Sequence, residues 1–130
     1  MNELILAAIF CIQMLGGETE VPHAYTVGYD LHRIRVDCET ETAVIEVGLD
    51  KRRSLDSIHQ ALFAATLTGK RPEVMIIDTD GREDQFEYQI RTVAAATGVD
   101  YRVLDKDFLI RWRMTDYLRN YGKLTRAPGF

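Results

Sequence analysis

The chain has 130 residues, of which 46% are hydrophobic and 28% charged, with a formal net charge of -4. That length and balance suit a single soluble globular domain with a real core, and its two cysteines, Cys11 and Cys38, exclude a disulfide-dense scaffold and lack metal-ligand spacing. The charge is unevenly spread: residues 1–105 carry 10 Lys or Arg against 18 Asp or Glu, and residues 106–130 carry 6 against 2. A basic C-terminal end on an acidic body suits a phosphate backbone or an acidic partner, or else a solvated helix face.

In chain order, residues 2–15 are apolar nearly all round, which predicts a deeply buried first helix stopped by Gly16 and Gly17. The run from Leu4 to Leu15 is too short to span a bilayer, and Glu3 stands where a signal peptide would carry positive charge. The expectation is a cytoplasmic protein with both cysteines as buried thiols. Pro22 and Gly28 punctuate the next segment, whose AYTVGY centre predicts a short strand. After a hairpin, treated below, a helix is expected from about Leu55 to Thr68, capped by Ser54 or Ser57, with Ser57 and Gln60 at capping-box spacing. Glu73–Asp78 contains the continuous apolar run VMII, the pattern of a central strand covered on both faces. A helix from about Arg82 to Thr97, a short strand YRVLD and an aromatic helix from about Asp107 to Tyr121 complete the order. The whole predicts one α/β domain over residues 1–130, layered around a small mixed sheet.

The hairpin lies between Arg33 and Leu49. RIRVD and VIEVGL alternate polar and apolar residues, and CETET between them is polar enough to turn. Ile34 and Val36 should face Ile45 and Val47, in a register that sets Arg35 opposite Glu46, Asp37 opposite Val44 and Arg33 opposite Gly48. Asp37 and Glu46 then become diagonal neighbours on one polar face. Two carboxylates held that close suit a hard divalent cation, although an ordinary Arg35–Glu46 cross-strand pair is the plainer outcome.

The element order helix, three strands, helix, strand, together with Asp37 and the VIEVG segment around Glu46, resembles the PD-(D/E)XK nuclease superfamily. The resemblance covers roughly Asn2 to Asp80. It implies a three-layer restriction-endonuclease-like core (αβββαβ), here with an added αβα extension at the C-terminus. It also implies metal-dependent hydrolysis of DNA phosphodiester bonds in a repair, recombination or phage-related role. On this resemblance Asp37 and Glu46 would be the Mg²⁺ or Mn²⁺ ligands, with Asp30 an alternative first acid, and Glu3 and Gln60 would match accessory positions of the resolvase-like and RecB-like branches. The pattern breaks at Gly48, which occupies the place of the motif Lys, so that Arg33 or Lys51 would have to supply the missing cation. DNA would be gripped through its phosphates by Lys51, Arg52, Arg53, Arg111, Arg113, Arg119, Lys123 and Arg126.

Two rival readings follow from other features. A scaffold that has lost its Lys could serve as an inactive DNA-binding or assembly protein, with the aromatic last helix as a dimer or partner surface and Trp112 exposed. The DTDG stretch after VMII resembles the Asp-x-Asp-Gly motif of haloacid-dehalogenase-like phosphohydrolases, with Asp78 as nucleophile and Asp80 as acid; more simply, Asp80 caps the following helix with Glu83.

Overall fold

A computed structural model describes residues 2–125, with side chains described through Asn120. The order of elements is α1 (Glu3–Ala8), a π-helical turn (Ile9–Met14), β1 (Glu18–Val27), β2 (Asp30–Glu39), β3 (Ala43–Leu49), a 3-10 turn (Arg52–Asp56), α2 (Ser57–Thr68), β4 (Arg71–Asp78), α3 (Gln85–Thr97), β5 (Asp100–Asp105), α4 (Lys106–Met114) and α5 (Asp116–Thr125). The five strands form one sheet in sequence order. β1, β2 and β3 run antiparallel, whereas β3, β4 and β5 are parallel, each joined to the next through a helix.

The VMII run shows why helices cover both faces. Met75 and Ile77 pack with Leu6, Phe10, Ile45, Val47 and Leu109, so α1, its π turn and α4 lie on one side. Val74 and Ile76 pack with Ile58, Ala61, Ile90 and Ala94, so α2 and α3 lie on the other. A strand buried twice has no reason to alternate polar with apolar residues. Gly69 and Gly98, with φ of 73° and 74°, end α2 and α3 in the left-handed conformation that glycine adopts without a Cβ penalty.

Several boundaries differ from the sequence expectation. The strand ahead of the hairpin is ten residues long and pairs with β2 along nearly its whole length. The first helix is not covered all round: Leu6, Ile9 and Phe10 are buried, but Leu4, Ile5 and Ile12 are exposed. α3 starts at Gln85, because Asp84 accepts from the N–H groups of Phe86 and Glu87, both at 2.9 Å, and not at Asp80. The aromatic helix breaks at Thr115 into α4 and α5, and α5 continues through Gly122.

Cys11 and Cys38 are joined as a disulfide, with Cα atoms 5.6 Å apart, and are not the separate thiols expected. Both are fully buried. The bond ties the π turn to β2 one residue beyond Asp37. Closing a loop of 27 residues removes chain entropy worth about 3.5 kcal/mol from the unfolded state. Replacing both cysteines by alanine should therefore lower the unfolding free energy in urea by about that amount, and an unchanged midpoint under non-reducing conditions would show that the sulfurs are not bonded in solution.

Candidate functional site

β2 keeps two partners only as far as Cys38. Its ladder with β3 consists of Cys38↔Ile45 and Glu39↔Val44, while its ladder with β1 continues to Asp30. β2 therefore leaves β3 and stays with β1, opening a cleft between them. Asp37 stands at the fork, where its Oδ2 accepts the Val47 N–H at 2.9 Å and so replaces the strand carbonyl that the missing ladder would have supplied.

The chain geometry changes at the same point. Val36 packs with Val44 and Ala64 on the α2 side, but Cys38 joins Cys11 and Ile45 on the α1 side, although residues two apart in a regular strand share a face. The partner position on β1 is Glu20, whose φ of 56° is the one positive value at a non-glycine among the described residues, and no Glu20–Asp37 pair forms. The expected register is corrected accordingly. The observed pairs extrapolate to Asp37 opposite Glu46, so Arg35 does not face Glu46 and Arg33 does not face Gly48. Ile34 and Val36 pack with Val44, and not with Ile45 and Val47.

The resulting cleft has a volume of 640 Å³ and is lined by Arg35, Asp37, Glu46, His59 and Gln60. Tyr25 and Phe63 wall it, their rings in edge contact at 5.0 Å. Two smaller clefts share Asp37 and bring in Glu3 and Arg53, and the smaller of the two also reaches Gln60. Four of the sequence-derived site residues thus line neighbouring clefts that share Asp37: Asp37, Glu46 and Gln60 the 640 Å³ cleft, and Glu3, Asp37 and Gln60 the smallest of the three. Three do not. Asp30 sits at the start of β2, opposite Val27. Arg33 is exposed opposite Ala24. Lys51 lies in the turn after β3, where its charge acts on Asp80. None of these three lines a described cleft.

Glu46 is 4% exposed, on a strand the sequence suggested was half solvated. Burial, then the charge of Asp37 beside it, pushes its carboxyl up to about 9. At neutral pH Glu46 therefore holds its proton. Burial also raises Glu3, which the Arg53 guanidinium at 3.4 Å counters. Gln60 is not a capping-box partner, since α2 begins at Ser57 with Asp56 as its N-cap, and it is left exposed at the cleft. The carboxylates of the cleft, Asp37 and Glu46, offer oxygen only, the donor type that suits a hard divalent cation.

The place of the motif Lys is sterically closed. A Cβ on Gly48 would lie 2.5 Å from Ser54 Oγ and 3.0 Å from Ser54 Cβ. Ser54 is itself held there by donating to the Leu49 carbonyl at 2.5 Å. The cations at the hollow are instead Arg53 and Arg35, of which Arg35 lies 3.5 Å from Glu20. Sequence reasoning had assigned Arg53 to DNA contact and Arg35 to a pair with Glu46. Their approach to Asp37 was not legible because it depends on how the elements around the cleft pack.

Elsewhere, Asp78 Oδ1 accepts from the N–H groups of Asp80 and Gly81, both at 3.1 Å, so this carboxylate is engaged with its own loop. Lys51, Arg52, Arg111 and Arg113 are exposed. Arg119 is committed, with its guanidinium 3.9 Å from the centre of the Trp112 ring. The side chain of Lys123, and Arg126 altogether, lie outside the described residues.

Two measurements follow. A raised carboxyl makes the folded state hold its proton more tightly than the unfolded chain, so the Glu46 contribution to stability is complete below the ordinary value of 4.5 and is lost as pH rises toward 9. Glu46→Gln should flatten the decline above pH 7 and leave the metal-free variant more stable than wild type at pH 8 by at least about 1.4 kcal/mol, the worth of one pKa unit; parallel pH profiles in denaturant titrations would contradict this. Gly48→Ala should cost about 1–3 kcal/mol from overpacking, and Ser54→Gly in the same chain should recover part of it. No protein-family model, no curated protein and no solved structure matches this chain.

Proposed function

We propose that the cleft is the active site of a metal-dependent nuclease with a restriction-endonuclease-like core, acting on DNA phosphodiesters. The observation that carries this reading is the buried Glu46 set against Asp37, at the point where β2 leaves β3. Element order supports it, since α1, three antiparallel strands, α2 and a parallel strand follow one another as the resemblance implies, with β5, α4 and α5 beyond them. So does the position of Glu3 and Gln60 on one small cleft with Asp37.

Asp37 and Glu46 would hold Mg²⁺ or Mn²⁺, which when bound supplies Lewis-acid polarisation of the phosphoryl oxygen and of the attacking water. Loading requires Glu46 to surrender its proton, so cation affinity rises with pH up to about 9. Gln60 would orient the water by hydrogen bonding. Arg53, supported by Arg35, offsets phosphate charge in place of the absent Lys. Lys51 and Arg52, on the turn leading to Arg53, would hold flanking phosphates, and Arg111 and Arg113 belong to the same proposal for a more distant segment. A cytoplasmic setting is also proposed. The Cys11–Cys38 bond would there withstand the reducing pool chiefly because neither sulfur is accessible.

One observation favours the second reading, a nuclease-like scaffold without catalysis that binds DNA or assembles with a partner or a second copy: Gly48 leaves no space for the motif Lys. Trp112 speaks against the assembly part of it. Its ring is half-buried against the α1-side core and covered by Arg119, and is not presented as a free aromatic surface.

Incubation with linear, nicked and branched DNA in Mg²⁺ or Mn²⁺ decides between them. Wild type should cleave. Glu46→Ala should abolish cleavage, Arg53→Ala should reduce it by about 10²-fold, as expected for loss of a charge-stabilising group, and Arg33→Ala should leave it within about twofold. A folded wild type that cuts none of these substrates returns the protein to the non-catalytic reading.

A further inference from the structure

A second group of acids lies outside this cleft, at the carboxyl end of the parallel half of the sheet. Asp50 follows β3, Asp78 ends β4, Asp80 is in the loop beyond it, and Glu87 is in the first turn of α3. One ligand oxygen from each lies within 4.8 Å of all the others. Asp50 is 1% exposed and Glu87 is 3% exposed. Among the described residues none of the four is in an ion pair.

Buried acids are normally paired with a cation or satisfied by donors, because an uncompensated buried charge is expensive. Three of these four are oriented by donors. The Thr79 N–H and hydroxyl donate to Asp50 at 2.9–3.0 Å, the N–H groups of Asp80 and Gly81 donate to Asp78, and the Arg82 N–H donates to Asp80 at 2.9 Å. Glu87 has no such partner. Its Oε1 is buried without a hydrogen bond, and one of its carboxylate oxygens lies within the group. An orphaned acceptor beside three held carboxylates lacks a compensating positive charge among the described ion pairs.

We propose that Asp50, Asp78, Asp80 and Glu87 form a binding site for one hard divalent cation, separate from the Asp37–Glu46 cleft. Carboxylate-only coordination selects Ca²⁺, Mg²⁺ or Mn²⁺ over softer metals. The ligands come from the turn after β3, the end of β4, the loop beyond it and the first turn of α3, so the ion locks the 79–84 connection onto the end of β3 and the first turn of α3. Its role is structural and does not require the cleft to be catalytic.

The test is calorimetric titration of the metal-stripped full chain with Ca²⁺, Mg²⁺ and Mn²⁺ in turn, with thermal melts in parallel, on four proteins. These are wild type, Asp37→Asn/Glu46→Gln, Glu87→Gln and Asp80→Asn. The cleft double variant should still bind one equivalent of at least one of the three ions, with a rise in Tm. Glu87→Gln and Asp80→Asn should each weaken that binding by at least about tenfold. Glu87→Gln removes a buried charge and keeps the shape of the side chain, and Asp80 is exposed, so at least one variant remains interpretable if the other folds poorly. The proposal is overturned if the cleft double variant binds none of the three ions, or if a folded Glu87→Gln or Asp80→Asn variant titrates as that protein's parent does.

Discussion

The separation of β2 from β3 at Asp37 is the constraint on which the cleft depends. A carboxylate oxygen takes the place of a backbone carbonyl for the Val47 N–H, which lets one strand leave its neighbour without orphaning a buried donor. The positive φ of Glu20 and the change of face between Val36 and Cys38 are the local consequences on either side. With the ladder intact, Glu46 would be covered by β2 and neither Gln60 nor Arg35 would share a hollow with it. The Cys11–Cys38 bond anchors the last paired residue of that ladder, immediately before the fork.

Acidic residues are buried in two places, and the two differ in how the charge is managed. Glu46 is held neutral by burial and by Asp37, so its environment resembles that of a poised acid which must lose a proton before it can hold a cation. Glu87 is also raised, to about 7, first by burial and then by Asp78 and the other acids around it. There, however, the surrounding carboxylates are already oriented by backbone donors, an arrangement closer to preformed coordination. Both groups lie near the end of β3, with Glu46 on the strand and Asp50 just beyond it.

Much of the architecture was readable in the chain. Alternation marked β2 and β3, the continuous VMII run marked a strand covered on both faces, and the spacing of Gly69 and Gly98 marked the ends of α2 and α3. The convergence of Asp37 with Glu46 was also legible, because two acids on adjacent strands with matching parity fall on one side for a range of registers. The actual register was not. Hydrophobic pattern alone favoured pairing all apolar residues of one strand with those of the other, and it had no means of representing a side chain that substitutes for a ladder bond. Misplaced register carried Arg33 toward Gly48 and obscured Arg35 and Arg53.

The cysteines and the second acidic group failed for a different reason. Cys11 and Cys38 are 27 residues apart, and Asp50 and Glu87 lie on elements separated by two others, so their contacts follow only from how α1 and α3 dock on the sheet. By itself, then, the sequence determined an α/β chain with a mixed sheet and a pair of hairpin acids, since those follow from local periodicity. Tertiary structure alone decided the fork at Asp37, the closed space at Gly48, the disulfide and the four-acid cluster, because each depends on side chains brought together by packing across the sheet and not by neighbouring positions along the chain.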